Sequence, residues 1–99
     1  VVENCVLSSG VRIERGAYVR DSVIMNDVVI GKGAAIQYSI VDSDTVIGDG
    51  STVGEPKEDG GEVTVLGGGI RLEPGTVIPG GAMADEKYVE AHHARKTED

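Results

Sequence analysis

The 99-residue chain has no tryptophan and no phenylalanine, and only three tyrosines, two methionines and one cysteine. The missing large aromatics argue against a thick globular core, and a single cysteine excludes disulfide scaffolding within the chain. Basic residues are scarce as well: nine Lys and Arg face seventeen Asp and Glu, for a formal charge of −8. That balance disfavours a nucleic acid or an anionic membrane as partner. No apolar run approaches the roughly 18 residues needed to span a bilayer, and no basic, apolar signal segment opens the sequence. A cytoplasmic location is the simplest expectation. The chain starts at Val1 rather than at a methionine and enters a repeat at once, which predicts a segment of a longer polypeptide.

What is abundant is glycine, fifteen residues, about twice the usual ~7%, and it falls in a repeat. Ile13-Glu-Arg-Gly-Ala17 recurs as Ile30-Gly-Lys-Gly-Ala34 and as Ile47-Gly-Asp-Gly-Ser51, 17 residues apart each time. Fixed-period self-similarity marks a coiled architecture. Val2, Val19, Ile36 and Val53 form one column at this period, and Leu7, Ile24 and Val41 form another. Each coil divides into sides of five, six and six residues, as in Val19–Val23, Ile24–Val29 and Ile30–Ala35. Each side opens with an inward aliphatic residue, and a second inward candidate follows four positions later: Val6, Val11 and Ala17, then Val23, Val28 and Ala34, then Ile40, Thr45 and Ser51. After an insertion of eight residues the pattern returns, with Leu66, Ile70, Leu72 and Thr76 in the places of Val41, Thr45, Ile47 and Ser51, and Ile78 and Ala82 starting a fifth coil.

The expected fold is all-β: a single-stranded, three-sided parallel β-helix of about four coils over residues 1–83, with an inserted loop at 54–64 and a C-terminal helix or tail at 84–99. Stacked coils lie about 4.8 Å apart, so like side chains sit above one another in a narrow prism. The small residues Ala17, Ala34, Ser51 and Thr76 suit its tapering corners, and Gly16, Gly33, Gly50 and Gly75 supply backbone angles closed to other residues. Stability is then shared between neighbouring coils, and the open end of the prism needs a cap. Asp85 is placed to cap a short helix whose Tyr88 and Val89 fold over the last coil.

Chemical signals are faint. Cys5 shares its coil position with Ser22 and Ser39, which reads as a small residue at a turn. The insertion is polar, acidic and glycine-rich; it reads as a solvated loop or a contact with a neighbouring domain. Its acids Glu55, Glu58, Asp59 and Glu62 match no calcium-loop spacing. His92 and His93 are adjacent rather than one helical turn apart, a weak arrangement for a metal. Gly48-Asp-Gly-Ser-Thr-Val-Gly54 lacks the spacing and the following helix of a phosphate loop. No nucleophile is paired with a histidine, and no carboxylate pair has an apolar setting. No catalytic residue and no metal ligand is therefore assigned, and the segment by itself is expected to be nonenzymatic.

Two outward columns suggest contacts instead. Val29 and Val46 stack one coil apart, bracketed by Arg12 and Arg71, and a parallel column holds Tyr18, Ala35, Thr52 and Val77. Exposed apolar stripes of this kind mark interfaces, so Val29, Val46, Tyr18 and Ala35 are the candidate oligomer contacts. Arg15 and Lys32 stack at equivalent corners of an otherwise acidic chain, a candidate site for an anionic effector, with Asp49 following in the same column.

The hexads resemble the hexapeptide repeat of left-handed parallel β-helices over roughly residues 2 to 83. The handedness is implied by this resemblance, since parallel crossovers are ordinarily right-handed. Acyltransferases, sugar-phosphate nucleotidyltransferases and one class of carbonic anhydrases share the repeat. A narrower likeness lies in the succession Val2-Glu-Asn-Cys-Val-Leu7, Val19-Arg-Asp-Ser-Val-Ile-Met25 and Ile36-Gln-Tyr-Ser-Ile-Val-Asp42, then Ile47-Gly-Asp-Gly50, the acidic insertion, Val63-Thr-Val-Leu-Gly67 and Leu72-Glu-Pro-Gly-Thr-Val-Ile78. That order is similar to the C-terminal β-helix of bacterial glucose-1-phosphate adenylyltransferase. The resemblance implies a parent enzyme that makes ADP-glucose and pyrophosphate from ATP and glucose 1-phosphate for glycogen synthesis. It also implies an N-terminal catalytic domain using Mg2+ and ATP, and a homo- or hetero-oligomer under allosteric control. The β-helix of another sugar-phosphate nucleotidyltransferase, such as a mannose-1-phosphate guanylyltransferase, reads similarly, as do a noncatalytic paralogous subunit and a free-standing scaffold. A hexapeptide acyltransferase fits less well, because it uses a histidine near a coil and both histidines here lie in the tail. A β-helical carbonic anhydrase needs three histidine ligands where the chain has two.

Overall fold

The computed structural model describes residues 2–57, 62–85 and 87–88. The chain winds as a three-sided parallel solenoid. β1 (Val2–Glu3), β2 (Val6–Leu7) and β3 (Arg12–Ile13) form the first coil, and β4 (Tyr18–Arg20), β5 (Val23–Ile24) and β6 (Val29–Ile30) the second. β7 (Ala35–Gln37), β8 (Ser39–Val41) and β9 (Val46–Ile47) form the third, and β10 (Thr52–Val53), β11 (Thr64–Leu66) and β12 (Arg71–Leu72) the fourth. β13 (Val77–Ile78) and β14 (Met83–Ala84) are two sides of a fifth. Three sheets result, ordered β1-β4-β7-β10-β13, β2-β5-β8-β11-β14 and β3-β6-β9-β12, here the first, second and third faces.

Register follows the 17-residue period through the first coils, and the last pairing, Val65 with Met83, spans 18 residues. Val2 pairs with Val19, Val19 with Ile36 and Ile36 with Val53. The insertion lengthens one turn by eight residues and leaves the register intact, so Val53 pairs with Ile78, Val41 with Leu66 and Ile47 with Leu72. The core is these columns: Val19, Ile24, Ile30, Ile36, Val41, Val53 and Leu66 are completely buried. Each such side chain contributes about 1.5–3 kcal/mol of apolar transfer free energy. The polar residues that replace aliphatics inside are satisfied. Thr45 donates to the Gly67 carbonyl at 3.0 Å, and Ser51 and Thr76 donate to the Glu73 carbonyl at 3.1 and 2.6 Å.

The strands are short because the backbone turns at each corner through a left-handed conformation. Gly16, Gly33, Gly50 and Gly75 take it between the third and first faces, with φ of 66–77°. Asp27 and Asp44 take it between the second and third faces, and Asn4 and Asp21 between the first and second. Asn and Asp tolerate this region because their short side chains bond locally. Tyr38, at φ 47° in the Asn4/Asp21 column, is the bulky exception.

One expectation is corrected on the five-residue side. Val6, Val23 and Ile40 do not point inward: Val6 is 62% exposed, and Val23 and Ile40 are half-buried on the surface. Side chains alternate along a strand, so with Ile24 and Val41 inside, the residues two positions earlier, Ser22 and Ser39, must be inside as well. They are buried. A rule of every fourth residue holds on the six-residue sides, where Val28, Ala34, Thr45 and Ser51 are buried, and slips by one on the shorter side.

The two ends differ. At the C-terminal end Ile78 and Ala84 are almost wholly buried, and the Asp85 carboxylate accepts the Tyr88 N–H at 2.8 Å, holding Tyr88 against the core. At the other end the inward residues Val2 and Leu7 remain 44% and 43% exposed. Val89 lies outside the described residues.

Candidate assembly surfaces and charged corner

On the third face Val29 pairs with Val46, Arg12 with Val29 and Arg71 with Val46. Both valines point outward and are half-buried. Beside them runs a shallow groove of ≈330 Å³, lined by the valines, Gly31, Gly48, Arg71 and the acids Glu14, Asp49 and Glu73. Gly31 and Gly48 let successive coils stack closely at this groove. A Cβ on Gly48 would lie 2.5 Å from the Pro74 nitrogen and 2.6 Å from the Glu73 carbonyl carbon of the next coil. Arg12 makes a 3.6 Å ion pair with Glu14 at the rim. An apolar centre with charged edges is the anatomy of a protein–protein contact.

On the first face Tyr18 pairs with Ala35, Ala35 with Thr52 and Thr52 with Val77. Tyr18 and Ala35 are half-buried, while Val77 is 64% exposed. The two candidate columns therefore lie on different faces, and no one surface holds all four residues.

Arg15 and Lys32 occupy successive turns of the corner between the third and first faces, and both are exposed. Gly33 N–H donates to the Arg15 carbonyl at 3.2 Å, and Lys32 N–H donates to the Asp49 carboxylate at 2.8 Å. The acid below the pair is thus tied to the backbone of the coil above it. Cys5 packs against the core and donates its Sγ–H to the Glu3 carbonyl at 2.9 Å, as Ser22 Oγ does to Arg20 and Ser39 Oγ to Gln37 at 2.8 and 2.7 Å. Its place is structural. Among the described residues no group of three metal-ligating side chains converges. Glu55 lies over Gly80 and Glu62 over Gly81, so both ends of the insertion rest on the last coil. Glu58, Asp59, His92 and His93 lie outside the described residues.

A family model described as GlmU-like, C-terminal hexapeptide matches residues 1–73. The chain belongs to this family. No curated protein and no solved structure matches it. The hexapeptide repeat and the parallel β-helix are thus established twice, by sequence family and by coil geometry.

A third surface escaped the sequence reading. Because Val6, Val23 and Ile40 face outward, they continue through Val65 and Met83 as one column on the second face, with Val6 paired to Val23, Val23 to Ile40, Ile40 to Val65 and Val65 to Met83. Strand alternation from the inward Leu7, Ile24 and Val41, which turns the residue just before each outward, would have found it. At its edge lies a concavity of ≈350 Å³ lined by Val6, Val23, Asn4, Asp21, Tyr38 and Lys57.

Proposed function

We propose that this hexapeptide domain is the noncatalytic assembly and regulatory module of a sugar-phosphate nucleotidyltransferase, specifically a glucose-1-phosphate adenylyltransferase of glycogen synthesis acting in the cytoplasm. The observation that carries the reading is the order of the coils: 17-residue turns, an acidic insertion after β10, and resumption in unbroken register. In that setting the domain holds subunits together, with Val29 and Val46 at the contact, and the Arg15/Lys32 corner receives an anionic metabolite. Adenylyl transfer itself, with its Mg2+ and ATP, belongs to an N-terminal catalytic domain. None of this chain's residues is assigned to it.

The test uses the native polypeptide that contains this segment, purified and supplied with Mg2+, glucose 1-phosphate or mannose 1-phosphate and each nucleoside triphosphate in turn, and separately with acetyl-CoA. Pyrophosphate release with ATP supports the reading. Preference for GTP and mannose 1-phosphate would move the domain to another sugar nucleotidyltransferase, and turnover of acetyl-CoA would overturn it in favour of acyl transfer.

A further inference from the structure

The second face carries an apolar residue at every coil: Val6, Val23, Ile40, Val65 and Met83. The corresponding columns elsewhere are mixed, Tyr18, Ala35, Thr52 and Val77 on the first face and Arg12, Val29, Val46 and Arg71 on the third. The two ends of the stripe, Val6 and Met83, are 62% and 76% exposed, and the three residues between them are half-buried. Along one side run four exposed acids: Asp42 and Asp85, each two residues past a stripe position, and Asp27 and Asp44 at the adjoining corner. On the other side is the concavity beside Tyr38.

Size decides what such a face can hold. Four coil spacings of about 4.8 Å make it roughly 19 Å long, and five residues at about 3.3 Å make it roughly 16 Å wide, or roughly 300 Å². A standard protein–protein interface takes about 800 Å² from each partner. A second copy of this chain docked stripe to stripe would fall well short of that area. An antiparallel two-fold arrangement would also bring the two acidic margins together. An α-helix laid along the stripe fits better. Its pitch of about 5.4 Å is close to the coil spacing, so each turn meets one coil, and about 13 residues cover the length.

We propose that the second face is the docking site for an amphipathic helix of about 13 residues, with an apolar ridge at i, i+3/i+4 and i+7 spacing and a Lys/Arg flank directed at Asp27, Asp42, Asp44 and Asp85. The ridge covers Val6 to Met83, and its bulkiest residue enters the concavity beside Tyr38. This surface is separate from the Val29/Val46 groove and does not depend on the enzyme assignment.

The experiment titrates the whole chain into a fluorescein-labelled peptide of about 14 residues, a Leu/Lys sequence in amphipathic order, and into a scrambled peptide of the same composition. The expected result is saturable binding of the ordered peptide only. Binding weakens at least tenfold in Ile40→Lys and in Val23→Lys, and changes less than twofold in Gln37→Lys, which adds the same charge on the first face. Far-UV circular dichroism identifies which variants are folded, and either stripe variant alone suffices. Equal binding of the scrambled peptide, or equal weakening by Gln37→Lys, would overturn the proposal. So would a self-association, seen by sedimentation, that Ile40→Lys dissolves, since a second copy would then own the face.

Discussion

At the residue scale the fold rests on which side chains face the prism and on which positions tolerate no Cβ. Ile36 is completely buried between Val19 and Val53, and Ile36→Ala should cost about 2–5 kcal/mol, the range for emptying a packed aliphatic site. Ile40, four residues on, faces outward, so Ile40→Ala should stay within roughly 1 kcal/mol. Urea unfolding of the two variants decides the parity of the five-residue side: near-equal losses would return Ile40 to the interior. Glycines separate in the same way. Gly48→Ala forces a carbon into the backbone of the next coil, and should destabilise by about 1–3 kcal/mol through overpacking. Gly50, at φ 70° with open space around its Cα, should accept asparagine at well under about 1 kcal/mol, because Asn visits the left-handed region. The same unfolding curves check this pair, and the reverse ranking would contradict the stacking described for Gly48.

At the scale of elements, each two- or three-residue strand is too short to be stable alone and exists through its pairing above and below. Loss of the cap should therefore be felt first in the nearest coil. Tyr88→Ala removes the side chain held over the last coil, and amide exchange should accelerate at Val65–Leu66 and Met83–Ala84 while Val19–Ile24 stays protected. Uniform acceleration would mean that the solenoid opens as one unit. The elements were largely legible in advance. The 17-residue period names the coils, the aliphatic hexad openings name the inward columns, and Ser22, Ser39 and Cys5 announce a column of small residues. Less legible was the parity of the shorter side. Val23 and Ile40 are as apolar as Ile24 and Val41, so composition gives no cue and only strand alternation distinguishes them. The outward stripe stayed hidden for the same reason. A face with apolar residues on both sides reads as core. Tyr38 carried no signal either, since nothing in its type suggests a left-handed corner.

At the scale of the whole molecule, the domain is a short stack of coils with three surfaces of different character: a mixed column, an apolar stripe with an acidic margin, and a groove where valines meet arginines and acids. Its charge of −8 keeps such a stack from sticking indiscriminately to acidic partners and favours contacts with apolar centres and basic margins. Membership of the GlmU-like hexapeptide family fixes the coil, and coil surfaces are where assembly must be written, because the interior is filled by its own columns. The contact proposed between subunits is centred on Val29 and Val46. Sedimentation equilibrium of the chain and of its Val46→Glu variant tests it most directly, since a carboxylate placed in the centre of a buried contact costs several kcal/mol. The wild-type mass should be a multiple of 10.3 kDa, and the variant should fall to a single chain. An oligomer that keeps its mass with glutamate at position 46 would contradict it.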